Sequence, residues 1–422
     1  MEEDKVIIIG AGLAGLTAAI ELERAGFTPT IFEASDSIGG RVKTDKSEGF
    51  LLDHGFQVLL TAYPEAQKYL DYDKLKLKKF SAGALILDKS KGNYTIADPL
   101  KEPLTAFKML TSRVGSFSDK LKIFSWTQEL KKNSIEAIFK RKEISSLEFL
   151  KNKGFSEHII NEFFKPFFGG IFLENELNTS SRMLEFVFKM FSEGYAAIPE
   201  DGMGAIPKQL ESQLTQTKIK LNSRVAEVGL KKIVLENGDL FEANAIVVAT
   251  KAGELLPQLQ GQFAGDQFVT NLLFSSNIPP FKESLIALVP DKDYIINNIA
   301  IMDNVAPNYS PEGSSLISIS VTDNYTENEK SLKKRVLDEL ISLFPELKNA
   351  TIGHIKNFYI DNALPIIHDF QYSLKPSETK IQDGVYLAGD YLLNGSINAA
   401  MLSGRLAAQA IYEDLKGKGF RN

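Results

Sequence analysis

Cysteine is absent from the 422-residue sequence, histidine occurs four times and tryptophan once. The missing thiol excludes disulfides, thiolate metal sites and cysteine nucleophiles. His54, His158, His354 and His368 are too widely scattered for a metal-ligand pattern, so each reads as a surface or hydrogen-bonded core residue and no metal is expected. Long apolar runs are also missing: nothing approaches the roughly 18 to 20 residues of a spanning helix. The run Val6 to Ile9 is too short for the core of a signal peptide and follows acidic residues, so a cytoplasmic protein is expected. A net charge of −6 argues against a general nucleic-acid role, which depends on clustered Lys and Arg.

What remains is an ordered globular composition, 44% hydrophobic and 24% charged. The length suits two connected domains or one large α/β assembly. Residues 5 to 34, KVIIIGAGLAGLTAAIELERAGFTPTIFEA, read as a β-branched strand, a glycine turn, an Ala- and Leu-rich helix stopped at Gly26, and a second strand ending at Glu33. In such a βαβ unit Gly10 permits the tight turn, Gly12 lets backbone approach a pyrophosphate, and Gly15 brings helix and strand together. The helix start at Leu13 and Ala14 then faces the phosphate charge. Glu33, with Ala34 beside it, suits a ribose 2′-hydroxyl and would repel a 2′-phosphate, which disfavours NADP.

This fingerprint alone does not separate NAD from FAD. The following ASDSIGGRV adds Gly39, Gly40 and Arg41, a close backbone approach plus a guanidinium suited to a second phosphate or a longer cofactor. At this point the chain resembles the FAD-dependent superfamily of amine oxidases, protoporphyrinogen oxidases and phytoene desaturases, whose members carry a similar GGR. Residues 51 to 70, LLDHGFQVLLTAYPEAQKYL, are similar to a segment of plant and cyanobacterial carotene desaturases through Asp53, Gly55 and Ala62-Tyr63-Pro64. Gln57 stands where those enzymes commonly have histidine, and Glu65 replaces their asparagine.

Two further blocks carry the resemblance. IPEDGMGAIPKQLESQL looks like the Gly-Met helix start of the superfamily, with Asp201 or Gly202 before the helix and Pro207 early in it. Strands with an Asn237-Gly238 turn follow. There the resemblance implies that Val225 contacts the adenine region through its backbone and that Ala249 and Thr250 lie against the cofactor, while Val225 also reads simply as core. Near the C-terminus, LAGDYLLNGSINAAMLSGRLAA is similar to the desaturase ending. The resemblance implies that Gly389 packs closely, that Asp390 hydrogen-bonds the ribityl or phosphate region, and that a helix starting near Ser396, Ile397 and Asn398 aims its N–H groups at the flavin. Asn398 and Ala399 replace the Glu-Gly pair of those enzymes.

Between the blocks, residues 101 to 142 hold ten Lys or Arg against four acids, with Phe107, Leu110, Val114, Phe117, Leu121, Phe124 and Trp126 at near-helical spacing. They read either as solvated helices packed on the substrate domain or as an amphipathic surface resting on anionic lipid. The runs EFFKPFFGGIF and LEFVFKMF read as core or as an apolar pocket, with Gly169-Gly170 allowing close backbone approach. Residues 266 to 375 read as a sheet beneath a substrate cavity.

The expected protein is α/β: a Rossmann-like FAD-binding domain from residues 1–75, 196–255 and 376–422, and a mixed-sheet plus helical substrate domain from 76–195 and 256–375. The resemblance implies non-covalent FAD and reoxidation by oxygen or a quinone; together with the phenylalanine-rich middle it points to a hydride donor that is small, apolar and polyene- or isoprenoid-like, while contact with a membrane surface is one of the two readings of residues 101 to 142. Flavin amine oxidase, redox-neutral isomerase and non-catalytic flavoprotein remain as alternatives. No catalytic acid or base is identifiable.

Overall fold

The computed structural model describes residues 4–89, 92–97, 115–262, 264–322, 325–417 and 419–420. The β-branched run Val6–Ile9 forms the centre of a six-stranded sheet, flanked by Thr30–Phe32 and Lys218–Lys220 on one side and by Ala245–Val248, Val385–Leu387 and Lys380–Gln382 on the other. All neighbours are parallel except the last pair. Helices Leu13–Arg24 and Ile397–Lys416 pack together on one face. Their small residues permit this: a methyl group at Gly404 would lie 2.2 Å from the Ala14 carbonyl oxygen, and one at Gly15 would lie 2.0 Å from that of Gly10. Leu16 and Leu22 are fully buried on this helix, and each such side chain contributes about 1.5–3 kcal/mol. On the other face Ile7, Ile9 and Ile246 pack against the meander of Val225–Gly229, Lys232–Leu235 and Leu240–Glu242.

A second sheet of seven strands runs in the order Ile352–Pro365, Asp266–Ser276, Ser315–Val321, Ile296–Ile301, Ile286–Leu288, Gly83–Ile86, Tyr94–Ala97. Period-two alternation gives this sheet two different faces. Ile317, Ile319 and Val321 are covered by helix Glu329–Leu343, whose Leu332, Val336, Leu340 and Leu343 form its buried stripe. Ser318, Ser320 and Asn271 alternate with those residues and point to the other side.

Five of the helices between residues 115 and 193 begin at a serine cap: Ser116, Ser134, Ser145, Ser156 and Ser180 each accept a backbone N–H, as free N–H groups at a helix start require. The helix from Glu157 passes through a π turn, Ile160–Phe164, into Lys165–Phe172. Of the basic stretch, residues 101–114, including Phe107, Leu110 and Val114, lie outside the described residues. Helix Phe117–Lys132 exposes Phe117, Leu121 and Phe124 and buries Trp126, which stacks on Phe188. Among the described residues no helix is long and apolar enough to cross a membrane.

Candidate functional site

A cavity of about 1370 Å³ is lined by residues of both sheets and of the helices between them. At one end its wall is mostly backbone. Gly10, Gly12, Leu13 and Ala14 of the first turn line it, with Glu33, Gly39, Gly40 and Arg41 beside them. Ala249, Thr250, Gly389, Asp390, Ser396 and Ile397 complete this end. Residues drawn from three distant parts of the sequence therefore share one surface.

The Gly12 and Gly39 backbones meet in a parallel bridge, the Gly39 N–H donates to Ala11 O at 2.9 Å, and a methyl group at Gly40 would lie 3.3 Å from the Gly12 Cα. A methyl group at Gly12, by contrast, would meet nothing within 4 Å. The open side of Gly12 is thus a cradle for a group approaching the backbone closely, and the residues present fit a dinucleotide pyrophosphate. Glu33 is held in place: its Oε2 accepts from the Ala11 N–H at 2.7 Å and its Oε1 from the Ser35 N–H and hydroxyl at 2.9 and 2.8 Å. One lone pair, on Oε2, remains for a ribose hydroxyl.

Two helix starts open onto the cavity. Gly12 precedes Leu13–Arg24 without a side-chain cap, and Ser396 precedes Ile397–Lys416, its Oγ accepting from the Ala399 N–H at 3.0 Å. The Ile397 and Asn398 N–H groups precede the first intrahelical bond, which runs from Ala400 to Ser396. Each terminus adds a partial positive charge to the wall.

Arg41 and Asp390, read separately from the sequence, are directly paired: Arg41 Nη2 donates to Asp390 Oδ1 at 2.5 Å, and Nη1 donates to Ala363 O at 3.1 Å. The Asp390 charge raises the guanidinium pKa further. The pair neutralises a buried acid that would otherwise repel a phosphate. No local pattern could reveal a contact across 349 positions.

Four of the expected residues lie outside the lining. Gly15 packs helix on strand as described, Ala34 follows Glu33, and Val225 is buried in the core behind the sheet. Asn398 turns away, its Oδ1 accepting from the Glu65 N–H at 3.0 Å, while Glu65 takes a bidentate pair from Arg405 at 3.1 and 2.7 Å. Two of the four positions that depart from the desaturase pattern, Glu65 and Asn398, therefore touch each other.

Asp53 joins the two other resembling blocks. Its carboxylate accepts from Thr44 Oγ1 at 2.5 Å, the Tyr309 hydroxyl at 2.6 Å and the Met203 N–H at 2.9 Å, and Thr44 Oγ1 accepts from the Gly204 N–H at 2.8 Å. Burial pushes its pKa up to about 6, against the lowering effect of these bonds. It latches the strand Phe50–Asp53 to the Gly-Met turn, so the helix there starts after Gly204 rather than at Asp201 or Gly202.

The other end of the cavity is side chains. Phe167, Phe172, Met183, Val187 and Phe191 line it from the helices, and Ile286, Leu288, Phe358 and Ile360 from the sheet. The phenylalanine run is thus divided: Phe164, Phe168 and Phe172 are all fully buried, and of these only Phe172 also lines the cavity, together with the half-buried Phe167. Among the described residues Lys251 is the only lysine of the lining, and it is paired with Asp266 at 2.7 Å.

Residues 13–412 match the flavin containing amine oxidoreductase family. A 15-cis-phytoene desaturase of Glycine max is 23% identical over 97% of this chain and 79% of its own length. Protoporphyrinogen oxidase 2 of Arabidopsis thaliana is 29% identical over 39% of this chain and 32% of its own. The crystal structure of an oxidoreductase from Methanosarcina mazei has the same fold, with a TM-score of 0.73 at 18% identity over 95% of this chain and 98% of that one. The chain belongs to the flavin containing amine oxidoreductase family and is an FAD-dependent oxidoreductase.

Proposed function

We propose that this enzyme removes hydride from an elongated, mainly apolar organic substrate of polyene or isoprenoid type. The observation that carries the reading is the continuity of one cavity from a backbone wall to a wall of Phe167, Phe172, Phe191, Leu288 and Ile286. Residues 1–75, 196–255 and 376–422 form the FAD-binding domain in this reading, and 76–195 with 256–375 the substrate domain. Gly12, Leu13 and Ala14 hold the pyrophosphate, Glu33 the ribose, and Arg41 with Asp390 the far phosphate or ribityl region. The chemistry supplied by bound FAD is hydride acceptance at N5, with reoxidation by oxygen or a quinone. The helix start at Ser396 to Asn398 favours negative charge gained at the cofactor edge. The apolar side chains exclude water and position the donor carbon.

An amine oxidase, which usually needs an aromatic cage beside the flavin and a lysine-held water, finds less support, because the one lysine of the lining among the described residues is already ion-paired with Asp266. The exposed row Phe117, Leu121 and Phe124 supports peripheral contact with a membrane from which such a substrate is drawn. The test is the anaerobic visible spectrum of the FAD-loaded enzyme, challenged in turn with polyenes or isoprenoids in liposomes and with primary and secondary amines. Bleaching by the apolar compounds alone is expected; bleaching by amines alone would replace this reading with an amine oxidase.

A further inference from the structure

One patch of the apolar end is not apolar. Asn298 pairs in register with Ser320 on the neighbouring strand, and Ser320 pairs with Asn271 on the next, so the three side chains form a row on the cavity face of the sheet. Asn298 and Ser320 both line the cavity, at 5% and 4% exposure, and Leu288 and Ile286 flank them. Polar atoms buried this deeply normally have partners.

The amide orientations are fixed by their neighbours. Asn297 Nδ2 donates to the carbonyl of Pro166 at 3.3 Å, an oxygen that can only accept, so the Asn297 amide must present Oδ1 at its other end. Asn298 Nδ2 donates to that Oδ1 at 2.8 Å, leaving Asn298 Oδ1 as the free end. Asn271 is oriented in the same way, with Nδ2 donating to the Ile319 carbonyl at 3.1 Å and to Ser318 Oγ at 2.9 Å. Asn298 Oδ1 and Asn271 Oδ1 are both buried with no hydrogen-bond partner among the described residues. Gly170 makes room for this arrangement, since a methyl group there would stand 2.5 Å from Asn297 Oδ1 and 3.0 Å from Asn298 Nδ2. The close approach permitted by that glycine is therefore to the amide pair.

We propose that Asn298 and Ser320 are specificity-determining residues that receive a hydroxyl group carried by the otherwise apolar substrate. This rests on the reading of the apolar end as the substrate chamber. A hydroxyl has one donor and two acceptor positions, so it can donate to Asn298 Oδ1 and accept from the Ser320 hydroxyl at the same time. An ammonium group fits less well: it brings a charge to a row made of Asn, Ser, Asn and Leu288 with no carboxylate in it, and it offers nothing for Ser320 to donate to. The substrate class becomes an isoprenoid or polyene alcohol rather than a plain hydrocarbon. Asn271 acts behind the row as a positioning residue.

The test is binding, read by perturbation of the flavin spectrum of the FAD-loaded enzyme under anaerobic conditions and by calorimetry. The probes are geranylgeraniol and the hydrocarbon of the same skeleton without the hydroxyl, each in detergent. The alcohol is expected to bind at least about tenfold more tightly. Asn298→Leu and Ser320→Ala should each remove most of that preference, with flavin occupancy at the wild-type level. Ser320→Ala, the smaller change, keeps the test interpretable if Asn298→Leu misfolds. Equal binding of the two probes, or a preference that survives in both variants, would overturn the hydroxyl assignment and leave the apolar chamber standing. If neither probe binds to fully FAD-loaded enzyme, the chamber reading and the hydroxyl assignment both fail.

Discussion

At one end of the cavity the wall is backbone: glycines, a strand end and two helix starts, with Glu33 and the Arg41–Asp390 pair as charged side chains beside them. At the other end it is side chains, supplied by two helices and several strands far apart in sequence. A backbone wall accepts any ligand with the right phosphates and is dictated by a few residues in fixed local register. A side-chain wall is specific to its substrate, and each residue contributes by its volume and polarity, which change without changing the fold. The two ends should therefore be separable by mutation.

The largest effect is expected from Gly12→Val. The backbone there is ordinary extended chain with φ −74°, and nothing lies within 4 Å of the new methyl position, so the FAD-free protein should melt as the wild type does. The added carbons occupy the cradle, and FAD affinity should fall roughly a thousandfold, about 4 kcal/mol. Visible absorbance of the purified protein at a known FAD concentration measures it.

Asp53→Asn should change stability without affecting either end of the cavity. The Asp53 carboxyl titrates near 6 when folded, against about 3.9 in an unfolded chain. The folded state therefore binds the proton more tightly, and this group lowers stability as pH rises from about 4 to about 6, with the cost persisting above that. The difference amounts to roughly 2–3 kcal/mol. The variant should lose that pH slope in denaturant titrations at pH 4 to 7, with the Tyr309 hydroxyl rotating to accept from the new amide.

Asp390→Ala removes both the carboxylate proposed to meet the cofactor and the group that holds Arg41 Nη2 in place, and FAD retention should weaken about tenfold through the loss of those contacts. Glu33→Ala should act in the same direction. Full flavin occupancy in both variants would show that the backbone alone holds the cofactor. The smallest effect is expected from Leu121→Ser on the exposed row of helix Phe117–Lys132: stability within about 0.5 kcal/mol of wild type, unchanged flavin, and weaker co-sedimentation with anionic liposomes.

The same contrast explains how much of the molecule was legible in its sequence. The strand Val6–Ile9, the turn at Gly10 to Gly15 and the helix that follows are local, and period and punctuation specify them. The helix start at Ser396 was legible for the same reason. The Arg41–Asp390 pair, the Asp53 latch onto Met203 and the meeting of Glu65 with Asn398 are products of tertiary assembly, with no periodic signal linking their partners. The division of the phenylalanine run followed from packing: Phe164 and Phe168 share a hydrophobic character with Phe167 and Phe172, and only the helix's orientation decides which reach the cavity. Asn298 and Ser320 fall within residues 266 to 375, where the sequence signals only a sheet. Their polarity becomes informative only when the neighbouring strands place them side by side against the cavity.

The separability of the two ends is tested most directly by the Phe167→Ala/Phe191→Ala double variant, scored at once for flavin occupancy and for the spectral response to an isoprenoid alcohol. The expected result is flavin content equal to the wild type with the response to the alcohol lost or weakened at least about tenfold. Loss of flavin in step with the response, in a protein that still folds, would contradict the division of the cavity into a backbone end for the cofactor and a side-chain end for the substrate.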